Sequence, residues 1–271
     1  MLPGLAVSPA AAASELTAFW LDSLAVTKLL AIGVSVNLFK SAVACLATFS
    51  ICGCDQGQPA PPAPNTLGQG ASAISTPDFG ATKKAAESGD SEAQFELGGM
   101  YDIGDGVPRD STEAAKWYRL AAEQGHPKAQ HNIGSMYNNG EGVPQDYAEA
   151  MKWYRRAAEQ GLAEARHNIG ALYHNGEGVP QDTTEAAKWF RLAAEQGYAD
   201  SQFSLGLYYG AGGPVPQDFV EAFALMSLAA AANVPQAVEF RDLAASELTP
   251  DQLAEAKKRA TELSEKYGSG E

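Results

Sequence analysis

AQHNIGSMYNNGEGVPQDYAEAMKWYRRAAEQGLAE, from Ala129 to Glu164, is followed without a gap by ARHNIGALYHNGEGVPQDTTEAAKWFRLAAEQGYAD, from Ala165 to Asp200. Both contain NGEGVPQD, at Asn139–Asp146 and Asn175–Asp182. Taken singly, a glycine-rich stretch ending in an acid reads as a phosphate cradle, a metal loop or a turn. The surroundings decide. The frame extends back through AQFELGGMYDIGDGVPRDSTEAAKWYRLAAEQGHPK (Ala93–Lys128) and, more loosely, forward through SQFSLGLYYGAGGPVPQDFVEAFALMSLAAAANVPQ (Ser201–Gln236). The connector thus occurs four times at a period of 36 residues. A catalytic loop is seldom needed four times, whereas a joint between repeated elements is.

Each unit reads as two helices. In the first, Ala93, Leu97 and Tyr101 stand at i, i+4 and i+8, with Met100 on the same stripe. Gly98, Gly134, Gly170 and Gly206 recur mid-helix, where glycine costs ~1 kcal/mol relative to alanine. The compensation expected is close approach of the second helix, through the recurring Trp117, Trp153 and Trp189 flanked by small residues. The second helix is expected to start at the N-caps Asp110, Asp146, Asp182 and Asp218 and to stop at Gly125, Gly161, Gly197 and Asn233. Gly140 and Gly176 end the first helix, and Pro144 and Pro180 stiffen the crossing.

Tandem hairpins cannot bury their faces singly, so they stack into an all-α solenoid with capped ends. A half unit, KKAAESGDSEA at Lys83–Ala93, supplies the first cap. LTPDQLAEAKKRATELSEKYG supplies the last, with Thr249 as N-cap, Pro250 at N1 and Leu253, Ala256, Ala260, Leu263 and Tyr267 at helical spacing. The predicted domains are a half-repeat cap over 78–92, repeats over 93–128, 129–164, 165–200 and 201–236, and a C-terminal helical cap over 237–271.

Composition narrows the function. Against 19 Lys and Arg stand 33 acidic residues, a formal net charge of −14, so nucleic acid is not an expected partner. Cys45, Cys52 and Cys54 all precede Asp55, which leaves the repeats without a disulfide or a cysteine-based metal site. Residues 1–54 read as a signal region: Lys40 precedes the apolar run Ser41–Ile51, which ends in Ile51-Cys52-Gly53-Cys54. Those four residues resemble the lipobox of bacterial lipoproteins. The resemblance implies lipidation of Cys54, a periplasmic location and, through Asp55, retention at the inner membrane. Residues 1–35 are too long and too charged for an n-region, which points to a mis-assigned start. The competing reading is a transmembrane anchor over Leu29–Cys52, with Lys40 in its middle. Residues 55–77, rich in Pro, Gly and Ala, read as a disordered tether.

With A-x-x-x-[LI]-G-x-[ML]-Y, then G-x-G-V-P-x-D, then E-A-x-K-W-[YF]-R-x-A-A-E-Q-G, the unit resembles the Sel-one-like repeat, a relative of the tetratricopeptide repeat. The resemblance implies a right-handed α-solenoid of stacked antiparallel helix pairs that acts as an adaptor or scaffold. Unit four departs from the pattern, with Leu225 for tryptophan and Pro214 for the second connector glycine. Cysteine-rich relatives are associated with penicillin binding and β-lactam hydrolysis. Their cysteine pattern is missing from these repeats.

In such solenoids the first helices line the concave face. Spacing then places Phe95, His131, His167 and Phe203 in one column, with Asp102, Asn138, Asn139, His174 and Asn175 on the next turns. Three readings compete for this surface: neutral drift, a metal or hydrolytic site, and a peptide groove. In the groove Phe95 and Phe203 form apolar pockets and the His and Asn side chains grip backbone or a carboxylate. Stacked helices ~10 Å apart keep His131 and His167 from sharing one ion. DIGDGVPRD lacks the twelfth-position glutamate of a calcium loop. The sequence therefore predicts a non-enzymatic binder of a protein or peptide, without cofactor or metal, anchored to the cell envelope. The alternative is a cell-wall-related hydrolase or a direct regulator of one.

Overall fold

The computed structural model describes residues 78–268. The signal region, Cys54, the transmembrane alternative and the 55–77 tether lie outside the described residues. No helix among those described is long and apolar enough to cross a membrane.

The described residues form eleven helices joined by short turns. A leading helix α1 (Phe79–Glu87) precedes four hairpins. These are α2 (Ser91–Ile103) with α3 (Ser111–Glu123), α4 (Pro127–Asn139) with α5 (Tyr147–Glu159), α6 (Ala163–Asn175) with α7 (Thr183–Ala194), and α8 (Ala199–Ala211) with α9 (Phe219–Ala231). Two further helices, α10 (Ala237–Ser246) and α11 (Pro250–Gly268), close the chain. From α1 to α10 each helix packs on its sequence neighbours, and α11 packs back on α9 beside α10. This is an α-solenoid.

Local chemistry sets the helix ends. Asp110, Asp146, Asp182 and Asp218 adopt extended backbone, and each carboxylate accepts two N–H groups of the following turn. Asp146 Oδ1 takes those of Ala148 at 2.9 Å and Glu149 at 3.0 Å. Asp146→Ala should therefore cost ~1 kcal/mol, read as a lowered urea midpoint at unchanged helix content. Gly104, Gly140 and Gly176 end the first helices in the left-handed conformation, and Asn233 (φ 61°) takes it where units one to three have glycine. Thr249 and Gln252 cap α11 reciprocally, backbone N–H to side-chain oxygen in both directions.

The connectors are tied down by the same device in every unit. The backbone N–H of Asp146 donates to Tyr137 O at 2.9 Å, and Gln145 Nε2 donates to Asn138 O at 2.8 Å. Gln181 and Gln217 repeat the second bond to His174 and Gly210, and Arg109 does so to Asp102. A glycine-rich loop whose polar groups are spent internally is a joint.

The expected partner of the mid-helix glycines is corrected. A Cβ on Gly98, Gly134 or Gly170 would come within 3 Å of Tyr118, Tyr154 or Phe190, the residue after each tryptophan. The tryptophans turn the other way: Trp153 of α5 packs into the cluster of Ala114, Tyr118 and Ile133, and Trp189 packs against that of Met151, Tyr154 and Ile169. In units one to three one aromatic therefore closes the hairpin and its neighbour glues that hairpin to what precedes it, while in unit four Met226 takes the place against Gly206. Glutamines add polar stitches: the exposed Gln160 donates through Nε2 to Oε1 of the buried Gln130 (2.7 Å) and to Gly125 O (2.9 Å).

Candidate functional site

The first helices of the two inner hairpins present matching faces. At about 100° per residue, His131, Asn132, Ser135, Asn138 and Asn139 of α4 share an arc of ~120°, turned away from the buried Ala129, Ile133 and Met136. His167, Asn168, Ala171, His174 and Asn175 do the same on α6, away from Ala165, Ile169 and Leu172. Neither arc carries a Lys, Arg, Asp or Glu. Asn139 is exposed, the other four asparagines are part-buried with some surface left open, and small residues, Ser135 and Ala171, stand mid-arc. Asn132 and Asn168, directly after the histidines, escaped the column-by-column reading. Their signal was recurrence at one repeat position.

The arc changes character at either end. On α2 it carries Glu96 and Asp102 beside Phe95. Burial raises the Asp102 carboxyl above the usual range, opposed by Arg109. Phe95 stacks on His126, with centroids 4.5 Å apart. On α8 the equivalent residues Phe203, Ser204, Leu207 and Gly210 are buried. Phe203 is thus corrected: it is no apolar pocket, because Phe240 of α10 packs edge-on against it at 5.7 Å. The stack does not end at unit four.

The histidines are spoken for by neighbouring groups. His131 Nδ1 bonds Asn132 Oδ1 at 3.2 Å, while Nε2 accepts from Asn168 Nδ2 at 3.0 Å, a bond from α6 back to α4. His167 Nδ1 lies 2.9 Å from Ser201 Oγ on α8, and His174 Nδ1 meets the Tyr208 hydroxyl at 2.5 Å. Burial lowers the His131 pKa and holds that of His167 down to about 4. Both are neutral at pH 7, so they act as walls and spacers rather than cations. The Tyr118 hydroxyl, bonded to Asn132, is pushed up to about 12 by burial. Asn138 donates to Asn139 at 2.9 Å and Asn175 to Glu177 at 3.2 Å. No group of three or more His, Cys, Asp or Glu among the described residues is placed to hold a metal ion.

A model of the Sel1 repeat matches residues 91–126, 127–162, 163–198 and 199–234. The chain belongs to the Sel1 repeat family. The matched units begin at the first residues of α2, α4, α6 and α8, two residues earlier than the frame read from sequence alone. A Sel1 repeat protein from Oxalobacter formigenes of known structure is 41% identical, with a TM-score of 0.55, over 61% of this chain and 48% of its own. A protective antigen present in uropathogenic Escherichia coli strains, displaying the same fold, is 30% identical, with a TM-score of 0.48, over 70% of this chain and 48% of its own. The aligned part spans about half the length of each. No curated protein matches the sequence.

Proposed function

We propose that this Sel1 repeat chain is a non-enzymatic scaffold that binds an extended segment of another protein along the asparagine face of α4 and α6. The observation that carries this reading is the pair of charge-free amide arcs. An amide side chain both donates and accepts, so it can pair with main-chain N–H and C=O groups of a bound strand whatever its sequence. Ser135 and Ala171 leave room for that backbone to approach. Glu96 and Asp102 on α2 favour a basic residue at one end of the segment. The scaffold is held at the bacterial envelope, on the periplasmic side, by lipid on Cys54, with Asp55 favouring the inner membrane.

A photo-reactive residue at Ser135 or Ala171 should capture a partner in cells, whereas one at the exposed Lys188 of α7 should not. Asn132→Lys with Asn168→Lys should weaken affinity for the captured partner tenfold or more at unchanged helicity. Unchanged affinity removes the groove from consideration. The anchor is tested separately by intact mass: protein extracted from membranes should begin at an acylated Cys54, and an unlipidated N-terminus ends that part of the proposal.

A further inference from the structure

His167, at a position that is histidine in unit two as well (His131), meets Ser201, which departs from the repeat. The position of His167 is phenylalanine in the outer units, Phe95 and Phe203, and that of Ser201 is alanine in the other three, Ala93, Ala129 and Ala165. The ring packing is preserved throughout the inner stack: Phe95 lies 5.8 Å from Tyr118, His131 5.7 Å from Tyr154 and His167 5.3 Å from Phe190. A phenyl ring would fill the same space. Only at the boundary between α6 and α8 is the opposing methyl replaced by a hydroxyl, fully buried, within hydrogen-bond distance of imidazole Nδ1.

We propose that His167 and Ser201 form a proton-sensitive joint, in which the neutral imidazole holds α8 against α6 and proton uptake releases it.

The surroundings set the direction. His167 lies between the rings of Phe190 on α7 and Tyr198 at the start of α8, 5.2 Å away. Among the described residues its one hydrogen-bond partner is Ser201. The charged or titratable groups facing it are Asp200 on α8, which favours the imidazolium, and His131 on α4, which opposes it. The Tyr198 hydroxyl is raised by burial, by Asp200, to which it is hydrogen-bonded, and by Glu164 on α6. Desolvation outweighs Asp200, so the closed joint binds a proton only near pH 4. Once α8 parts from α6 the ring meets water and titrates near ~6.5. Between those values the open state binds a proton that the closed state refuses. Closure is therefore at full strength above about pH 6.5, weakens as pH falls through the window and changes no further below about 4. The joint divides the asparagine-bearing helices from the closed C-terminal end, so its opening alters where the face stops. The inference rests on the fold and stands apart from the proposed binding.

The test is amide hydrogen exchange on the full-length protein at pH 7 and pH 5, corrected for the intrinsic pH dependence of exchange. Opening of α8 should rise ~20-fold on acidification while α2 and α3 change little. The double variant His167→Phe/Ser201→Ala, which restores the residues of the sibling units, should lose that response. An equal response in wild type and double variant, or one spread evenly over α2 to α11, overturns the proposal. Should the double variant fail to fold, an NMR titration of the wild-type His167 imidazole decides instead: an ordinary value overturns the joint, and a strongly depressed one sustains it.

Discussion

Phe190→Ala should cost about 3–5 kcal/mol, enough to unfold hairpin α6–α7 and much of the stack beyond it. Phe190 is fully buried. Its ring lies on the backbone of Gly170, where an added Cβ would come within 2.7 Å, and touches the rings of His167 (5.3 Å) and Tyr208 (5.9 Å). The cavity left by alanine is lined by a regular helix that cannot collapse into it, so the transfer loss and the cavity loss add. Phe190→Tyr should be far milder, since tyrosine fills this place in units one and two as Tyr118 and Tyr154. Urea denaturation of the three proteins checks the ranking. A loss below 1 kcal/mol for the alanine variant would mean that the glycine–aromatic contact does not close the hairpin.

Gly142→Ala is the second large effect, and it acts between units. Gly142 has φ +66°, and a Cβ there would lie 2.0 Å from the carbonyl oxygen of Ser111 and 2.9 Å from the Thr112 nitrogen, at the start of α3 in the preceding unit. Backbone cannot yield as the end of a side chain can. The connector must lift off its neighbour, at a cost of ~3 kcal/mol or more from left-handed strain and overpacking together. Gly125→Ala is the control. It has φ +95° but nothing within 4 Å, so it should lose only the conformational part, about 1 kcal/mol. Similar losses for the two variants would show that the connector bears no inter-unit contact. Unit four supplies its own comparison, because Pro214 replaces the second connector glycine and Gly213 takes a positive φ beside it.

Much of this architecture was legible in single residues. Asp146 and Asp182 cap their helices, Gly140 and Gly176 end the ones before, and Thr249 opens α11. Each of these outcomes depends on backbone conformation and hydrogen-bond valence within a few residues, which local sequence specifies. The identity of the helix-packing residue was less legible. Trp153 and Tyr154 are adjacent, large and aromatic, and about 100° of rotation decides which meets Gly134 and which meets the preceding unit.

The candidate face divides along the same line. Its asparagines could be found by recurrence, as Asn132 and Asn168 show, but the state of its histidines could not. Whether His167 is a free ligand-binding group or a part-buried spacer turns on Ser201, 34 residues away on another helix. Phe203 is the clearest case, since its exposure depends on α10, whose start departs from the repeat with Gln236 in the left-handed conformation at φ 64°. The 36-residue period, the helix ends, the joints and the family were legible in the order of residues, because those rest on short-range chemistry repeated four times. Which aromatics close a hairpin, what each histidine bonds to and where the asparagine face ends came from the packing of the stack. Those outcomes are set by burial, and burial belongs to the stack.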